Sequence, residues 1–408
     1  MTSRRVRPSP PGRGHEPVMS STKLVRRLTA FFPAAALLLA IPSCDEGKDS
    51  EIPDSAEPAV ENYAAIVAAS YEDSLTSAVA LQQAVHAFLA APSQAGLDAS
   101  KNAWLASREP YLQTEVYRFY DGPIDHPETG PEGMINAWPL DEAYIDYVAG
   151  NATAGIVNDP NVVIDAATLM ALNEQGGEAN IATGFHAIEF LLWGQDMDVA
   201  GPGNRPYTDY VVGGAAANAD RRGQYLRVVS DLLVQHLTDM RDAWAAGAAN
   251  YRADFVAAGP EESLRRILTG MIVLSGFETG GERLQAALDS GDQEDEHSCF
   301  SDNTHRDMIQ DIAGISNVWH GRYGAVSGTG VREVVADRDA DLAAALDAKI
   351  DESLALANAL GVPFDQEIAV SNPAGRARVA ALVLALNEQD ALLQDVFRLF
   401  ELEIPQPE

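Results

Sequence analysis

The chain has 408 residues, with 28 Lys and Arg against 60 Asp and Glu, a formal net charge of −32. That balance excludes the basic face that non-specific nucleic-acid binding needs to displace counterions, and it excludes simple electrostatic attachment to anionic lipid. Hydrophobic residues make up 46%, so the chain is core-forming, and its two cysteines, Cys44 and Cys299, are too few for a disulfide framework or a cysteine-rich zinc site.

From the N-terminus, residues 1–22 are rich in Arg, Pro and Ser and have no apolar pattern. Lys23, Arg26 and Arg27 then precede an apolar run from Leu28 to Ile41, too short for a good membrane span but proportioned as a secretory signal. Met19 is a sensible alternative start for it. The run ends Ile41-Pro42-Ser43-Cys44, which resembles a bacterial lipoprotein box with Cys44 as the lipidated residue. Pro42 is unusual there, and a plain cleaved signal with Cys44 incidental is the alternative. Residues 1–43 are thus read as the signal, and residues 44–58, acidic with Pro and Ser, as a flexible tether between a lipid anchor at Cys44 and the fold. With Cys44 lipidated, Cys299 lacks a partner and reads as a small buried residue.

The body predicts an all-α fold. Ala/Leu/Val-rich stretches with polar residues at helical spacing run over about 59–90, 98–120, 161–174 and 178–194. Further ones run over about 220–246, 261–289, 304–320, 331–360 and 373–402. Asn372-Pro373 reads as a helix start and Gly361-Val362-Pro363 as a stop. Such long helices favour antiparallel bundles. Two Gly/Pro-rich stretches, 121–139 and 195–218, are long enough to be functional or interdomain loops. The expected organisation is an N-terminal helical bundle over 59–200, a linker loop over 201–218 and a C-terminal bundle over 219–405, with a duplicated bundle as one reading of the two halves.

Three segments could carry chemistry. In the first, residues 181–194 (IATGFHAIEFLLWG), His186 and Glu189 lie three apart on a helix apolar nearly all round, and Gly184 would let another backbone approach. A buried carboxylate and imidazole must be paired, protonated or bound to metal, and inward-facing Glu and His at this spacing serve carboxylate-bundle metal sites. The bland reading is a structural His–Glu hydrogen bond. The second segment holds Glu278, Glu282 and Arg283, then the acidic run 292–307 with Glu296, His297, Ser298, Asp302, His305 and Asp307. Its alternative is a solvated turn in which Asp302 or Asn303 caps the next helix. In the third, Arg108, Glu115 and Arg118 lie on an aromatic-rich stretch, where Glu115 is either a further acidic ligand or one half of a salt bridge to Arg118. No H-E-x-x-H, G-x-S-x-G or Walker sequence is present.

Together these segments resemble the imelysin family, within it the iron-regulated protein A type. Gly184, His186 and Glu189 match its G-x-H-x-x-E signature, and PEGMINAWPLDEAYIDY and EDEHSCFSDNTHRD are similar to that type. The similarity covers roughly residues 58–402. It implies two bundle-like helical domains with the signature near their interface, in an exported, often membrane-anchored protein associated with iron acquisition. It also carries an older metallopeptidase label, from an insulin-cleaving membrane protease. That label fits these residues poorly, because a peptidase zinc needs three protein ligands, an open position and a general base. The related periplasmic component of a ferrous-iron uptake system shares the H-x-x-E idea.

The resulting expectation is a lipid-anchored protein of the bacterial cell envelope, facing the periplasm or the cell surface. It binds a transition metal, iron foremost and zinc as the alternative, for an inner- or outer-membrane transport partner. The expected ligands are His186 and Glu189, completed by Glu115 and one or more of Glu282, His297 and Asp302. Gly184, Arg108, Arg118, Arg283, Ser298 and His305 are the expected supporting residues. The competing readings are a metallopeptidase and a non-metal scaffold or receptor in which the His–Glu pair is structural.

Overall fold

In the computed structural model, residues 52–405 are described. The expected signal at 1–43, Cys44 and the expected tether up to residue 51 lie outside the described residues. Within the stretch expected as tether, Ile52 and Ala56 are already buried, and the first helix starts at Ala56.

The fold is all-α, as the periodicity predicts. Among the described residues the only paired strands are Arg322–Tyr323 and Val326–Ser327, a two-residue antiparallel ladder. The long helices are Ala56–Ala90, Gln94–Leu112, Ala219–Ala243, Thr304–Trp319, Ala340–Ala357 and Pro373–Leu399. Ser93 caps the second of these by accepting from the Gly96 amide, and Asn372 caps the last by accepting from Gly375. Ala56–Ala90 packs along both Gln94–Leu112 and Ala219–Ala243. Pro373–Leu399 packs against Ala340–Ala357 and the 273–285 segment. The chain passes through 201–218 without leaving this packing, and the described residues form one compact unit. A large aromatic-rich core includes Tyr71, Trp104, Tyr117, Trp244 and Phe255, and a smaller one gathers Met308, Ile312, Phe364, Leu382 and Leu386.

Two departures from the expected helices place functional groups. The 98–120 helix stops at Leu112, two residues after Pro110, and the chain turns through a short 3₁₀ segment, Glu115–Tyr117. Gly270 lies over this turn, where a Cβ would stand 2.1 Å from the Val116 carbonyl oxygen. The second departure is inside the expected 261–289 helix. It begins as Pro260–Ile272, widens into a π-helix over Val273–Gln285 and narrows again at Ala286–Ser290. Bonding from i to i+5 changes which side chains share a face. Glu278 therefore meets Arg283, five residues on, at 2.9 Å, and Glu282 is turned to the exposed side.

The signature helix, Gly184–Trp193, is buried along its whole length, which its lack of a polar face requires. It begins at Gly184 with φ +84°, where a Cβ would lie 2.5 Å from the Ile135 carbonyl oxygen. Because that oxygen is backbone, it cannot yield cheaply. Gly184→Ala is therefore expected to destabilise by about 3 kcal/mol or more, the sum of a left-handed backbone cost of about 1–2 kcal/mol and the collision. Gly150→Ala, at φ +82° in open space, is expected to show only the backbone part. Urea denaturation of the two variants checks the difference, and equal losses would refute the close approach.

Candidate metal centre

His186 and Glu189 face each other. His186 Nδ1 lies 2.9 Å from Glu189 Oε2, and both side chains are buried. Glu189 Oε1 accepts from the Ser301 amide at 3.0 Å and from its hydroxyl at 2.6 Å. Burial pushes Glu189 up to about 8, despite the Ser301 bonds and nearby Arg108. Burial likewise lowers His186 well below its ordinary value, with Arg108 and His297 adding to the effect, so the ring is neutral.

A second pair stands beside the first. His297 Nδ1 lies 2.8 Å from Asp307 Oδ2, and the His186 and His297 rings cross edge-on with centroids 4.9 Å apart. Asp307 Oδ2 also accepts from the Ser298 hydroxyl and from Arg108 Nη2 at 3.3 Å, while its Oδ1 accepts from Asn303 Nδ2 at 3.1 Å. Burial would raise Asp307, but Arg108 and the His297 and Ser298 bonds outweigh it, and the carboxyl is held far below the usual range. Burial and Arg283 bring His297 down to about 4. A charged Asp307 beside a neutral His297 assigns the proton to Nδ1 and leaves an Nε2 lone pair. Arg108 is itself fully buried, bonded to Asn136 and stacked over Phe185 at 4.9 Å.

His186 Nε2 is buried without a hydrogen-bond partner. A metal-binding histidine commonly gives its other ring N–H to a carboxylate, which fixes the tautomer and the ring orientation. Asp307 gives His297 that backing, and Glu189 stands at the same position on His186. The residues present therefore fit a borderline metal ion: two ring nitrogens, each oriented by a buried acid, beside a cavity. That cavity, about 550 Å³, is lined by His297, Trp138, Asn136, Arg118, Arg283 and several glutamates, among them Glu132, Glu278 and Glu282.

The expected ligand set does not converge at one point. His186, Glu189 and His297 come together, with Glu189 placed as the acid that orients His186. Glu115 is instead spent on cations: its Oε2 accepts from Arg118 at 2.7 Å and from Arg283 at 2.6 Å. Arg283 also bonds Asp311 and Glu278, and Arg118 bonds Glu132. The salt-bridge reading of Glu115 and Arg118 thus describes their geometry. Glu282 stays at the exposed cavity wall because of the π-helical turn. Asp302 points into a different group, with Asp196 and Asp365. Its side chain does not cap the next helix; Asn303 holds the N-cap position there, but its side-chain amide goes to Asp307 and makes no capping bond.

Among the supporting residues, Gly184, Arg108 and Ser298 touch or position the paired imidazoles, and Arg118 and Arg283 balance Glu115. His305 is half-buried on the first turn of Thr304–Trp319, outside the pairs. Cys299 is a free buried thiol, as its sequence suggests. Asp307, a candidate of the acidic segment left out of the expected ligand set, orients His297, while Ser301, Asn136 and Trp138, whose ring lies 5.0 Å from His186, were not expected in this centre. Asp307 and Ser301 lie in the acidic segment and Asn136 and Trp138 in the first long loop, so only their roles were hidden.

The electrostatics of Glu115 can be tested directly. Burial would raise its pKa, but Arg118 and Arg283 more than offset that and leave it at about 2, against an ordinary 4.5. The stability from its ionised form is complete above about pH 4.5 and is lost as pH falls toward 2. Glu115→Gln is expected to cost about 3–5 kcal/mol at pH 7 by leaving buried guanidinium charge uncompensated, and less below pH 4. Denaturation midpoints at pH 7 and pH 3 measure this; a pH-independent loss would contradict it.

An Imelysin family model matches residues 67–393. Iron-regulated protein A of Synechococcus elongatus is 24% identical over 266 residues, which cover 63% of this chain and 62% of that relative. The chain therefore spans about three-fifths of the length of that curated relative. An iron-regulated protein A precursor from Parabacteroides distasonis has the same fold with a TM-score of 0.65 at 20% identity, covering 84% of this chain and 95% of that one. An imelysin-like protein from Psychrobacter arcticum gives 0.62 at 13% identity, covering 86% and 97%. With the family model spanning most of its length, the chain belongs to the imelysin family.

Proposed function

We propose that this protein captures a transition-metal ion, iron foremost, between His186 and His297 and serves metal uptake at the bacterial envelope. The reading is supported above all by the unpartnered, buried Nε2 of His186 next to a second imidazole, each ring held by its own carboxylate. Neutral imidazoles suit iron and zinc. The glutamates of the 550 Å³ cavity raise the local concentration of cations before capture. Export and anchoring at Cys44 belong to the same proposal and rest on the sequence of residues 23–44. No helix among the described residues is long and apolar enough to cross a membrane. The names of the relatives, iron-regulated protein A and its precursor, accord with a role tied to iron.

Hydrolysis draws less support from the same geometry. The two carboxylates nearest the imidazoles are committed, Glu189 to Ser301 and His186, and Asp307 to four donors. Neither is placed to activate a water molecule.

Capture at Nε2 displaces a proton. With Glu189 held near 8, the metal-free pair at neutral pH carries one proton on the carboxyl and one on Nε2. Coordination releases the Nε2 proton, while the carboxyl proton moves to Nδ1. Anaerobic titration with Fe(II), and separately Zn(II), is expected to show one equivalent bound, about one proton released, and affinity rising with pH toward 8. His186→Ala and His297→Ala are expected to abolish this binding, and Glu189→Gln and Asp307→Asn to weaken it about 10–100-fold. His126→Ala, in an exposed loop, is the control. Unchanged metal content in a folded His186→Ala/His297→Ala double variant would remove the proposal.

A further inference from the structure

Away from the paired imidazoles, three aspartates from distant parts of the chain converge. Asp196 follows the signature helix, Asp302 precedes Thr304–Trp319, and Asp365 opens the short helix Phe364–Ile368. One carboxylate oxygen from each lies within 4.8 Å of the others, and all three residues are buried, at 2%, 8% and 6% exposure. Glu296, 1% exposed, interacts electrostatically with all three.

What distinguishes this group is its lack of compensation. Around Glu115 every acid meets a guanidinium, and Asp307 is surrounded by donors. Here the charged groups acting on the three aspartates are other acids, Asp198 included. Asp196 Oδ2, both oxygens of Asp365 and both of Glu296 are buried without a hydrogen bond. The amides of Asp365 and Gln366 lie near the Asp365 carboxyl, and the Thr304 hydroxyl lies near Glu296, but neither contact has ordinary hydrogen-bond geometry. Several carboxylates so close and so dry cannot all ionise unless a cation sits among them.

We infer that Asp196, Asp302 and Asp365, with Glu296 beside them, form a second cation site, for a hard divalent ion of the calcium type. Every donor is oxygen, which selects against the softer metals proposed for the imidazoles. The flexible geometry of calcium tolerates carboxylates from three unrelated segments, and Asp365 has two open oxygens to offer, whereas magnesium demands near-octahedral placement. A neighbouring cavity of about 730 Å³, lined by Asp196 and Asp198, gives an entry path. The role is structural: the ion ties the loop after the signature helix, the acidic 292–303 loop and the 364–368 helix together.

Chelator-treated protein, with all later segments present, is the material for the test. Calcium is expected to bind with one equivalent by calorimetry and to raise the thermal midpoint by about 3 °C or more at saturation, with magnesium doing much less. Asp196→Asn and Asp365→Asn are expected to lose the calcium response while melting no lower than calcium-free wild type, because each removes repulsion. His186→Ala is expected to keep it, which separates this site from the imidazole centre. Absence of calcium binding by folded wild type, or a calcium response that survives in the Asp196→Asn/Asp365→Asn double variant, would overturn the inference.

Discussion

Two neutral imidazoles held in place by two buried carboxylates are the constraint on which the centre of this protein depends. Neither half of such a pair is tolerable alone in a dry interior, because an isolated buried carboxylate costs several kcal/mol or must take up a proton. The two pairs meet this cost differently. Asp307 collects a guanidinium, a hydroxyl, an amide and a ring nitrogen and stays ionised. Glu189 has only Ser301 and His186 and is pushed up to about 8. One ring is therefore held by a fixed charge and the other by an acid that can release its proton near neutrality. Both rings keep a nitrogen that is not taken by their acid.

The surrounding fold supplies the partners. Arg108 comes from the second long helix, Asp307 from the first turn of Thr304–Trp319 and Ser301 from the loop before it, so the centre exists only when the second helix and the 301–307 stretch both close on the signature helix. The Glu115 network works as a second clamp on the same cavity: Arg283 reaches Glu115, Glu278 and Asp311 from the π-helical segment. A regular α-helix through 273–285 would put Glu278 and Glu282 on one face, four apart. The π-helix instead pairs Glu278 with Arg283 and leaves Glu282 exposed. A rare local geometry thus decides which acid serves the arginine and which stays at the cavity wall.

Most of the helices were legible as periodic apolar stretches, because burial of one face is a local signal. Asn372-Pro373 worked as a helix start for the same reason: a cap and a fixed φ act within one turn. The pairing of His186 with Glu189 was legible too, since three residues on a helix define one face. Beyond that, spacing lost its force. Whether Glu115 met a metal or a guanidinium depended on Arg283, 168 residues away, and a sequence window cannot see that. Asp302 was read with His297 because the two are close in sequence. Its left-handed backbone, φ +57°, helps direct it away to Asp196 and Asp365, while Asp307, one helical turn further on, takes the place beside the imidazole.

That change of direction between neighbouring residues gives the acidic loop its organising role. Ser301 bonds Glu189 through both its amide and its hydroxyl, and Asp302, the next residue, belongs to the uncompensated aspartates. The backbone between them is shared, so whatever fixes Asp302 also fixes the donors that hold Glu189. A hard cation among the aspartates would lock that loop and set the orientation of His186 through Ser301 and Glu189. Without one, Asp196, Asp302 and Asp365 are driven toward their protonated forms and that tie on the loop is missing. Coupling of this kind is reciprocal: an ion held between the imidazoles favours the loop position that brings the aspartates together. The two groups of acids, so different in their compensation, then meet at one peptide bond, between Ser301, which holds Glu189, and Asp302.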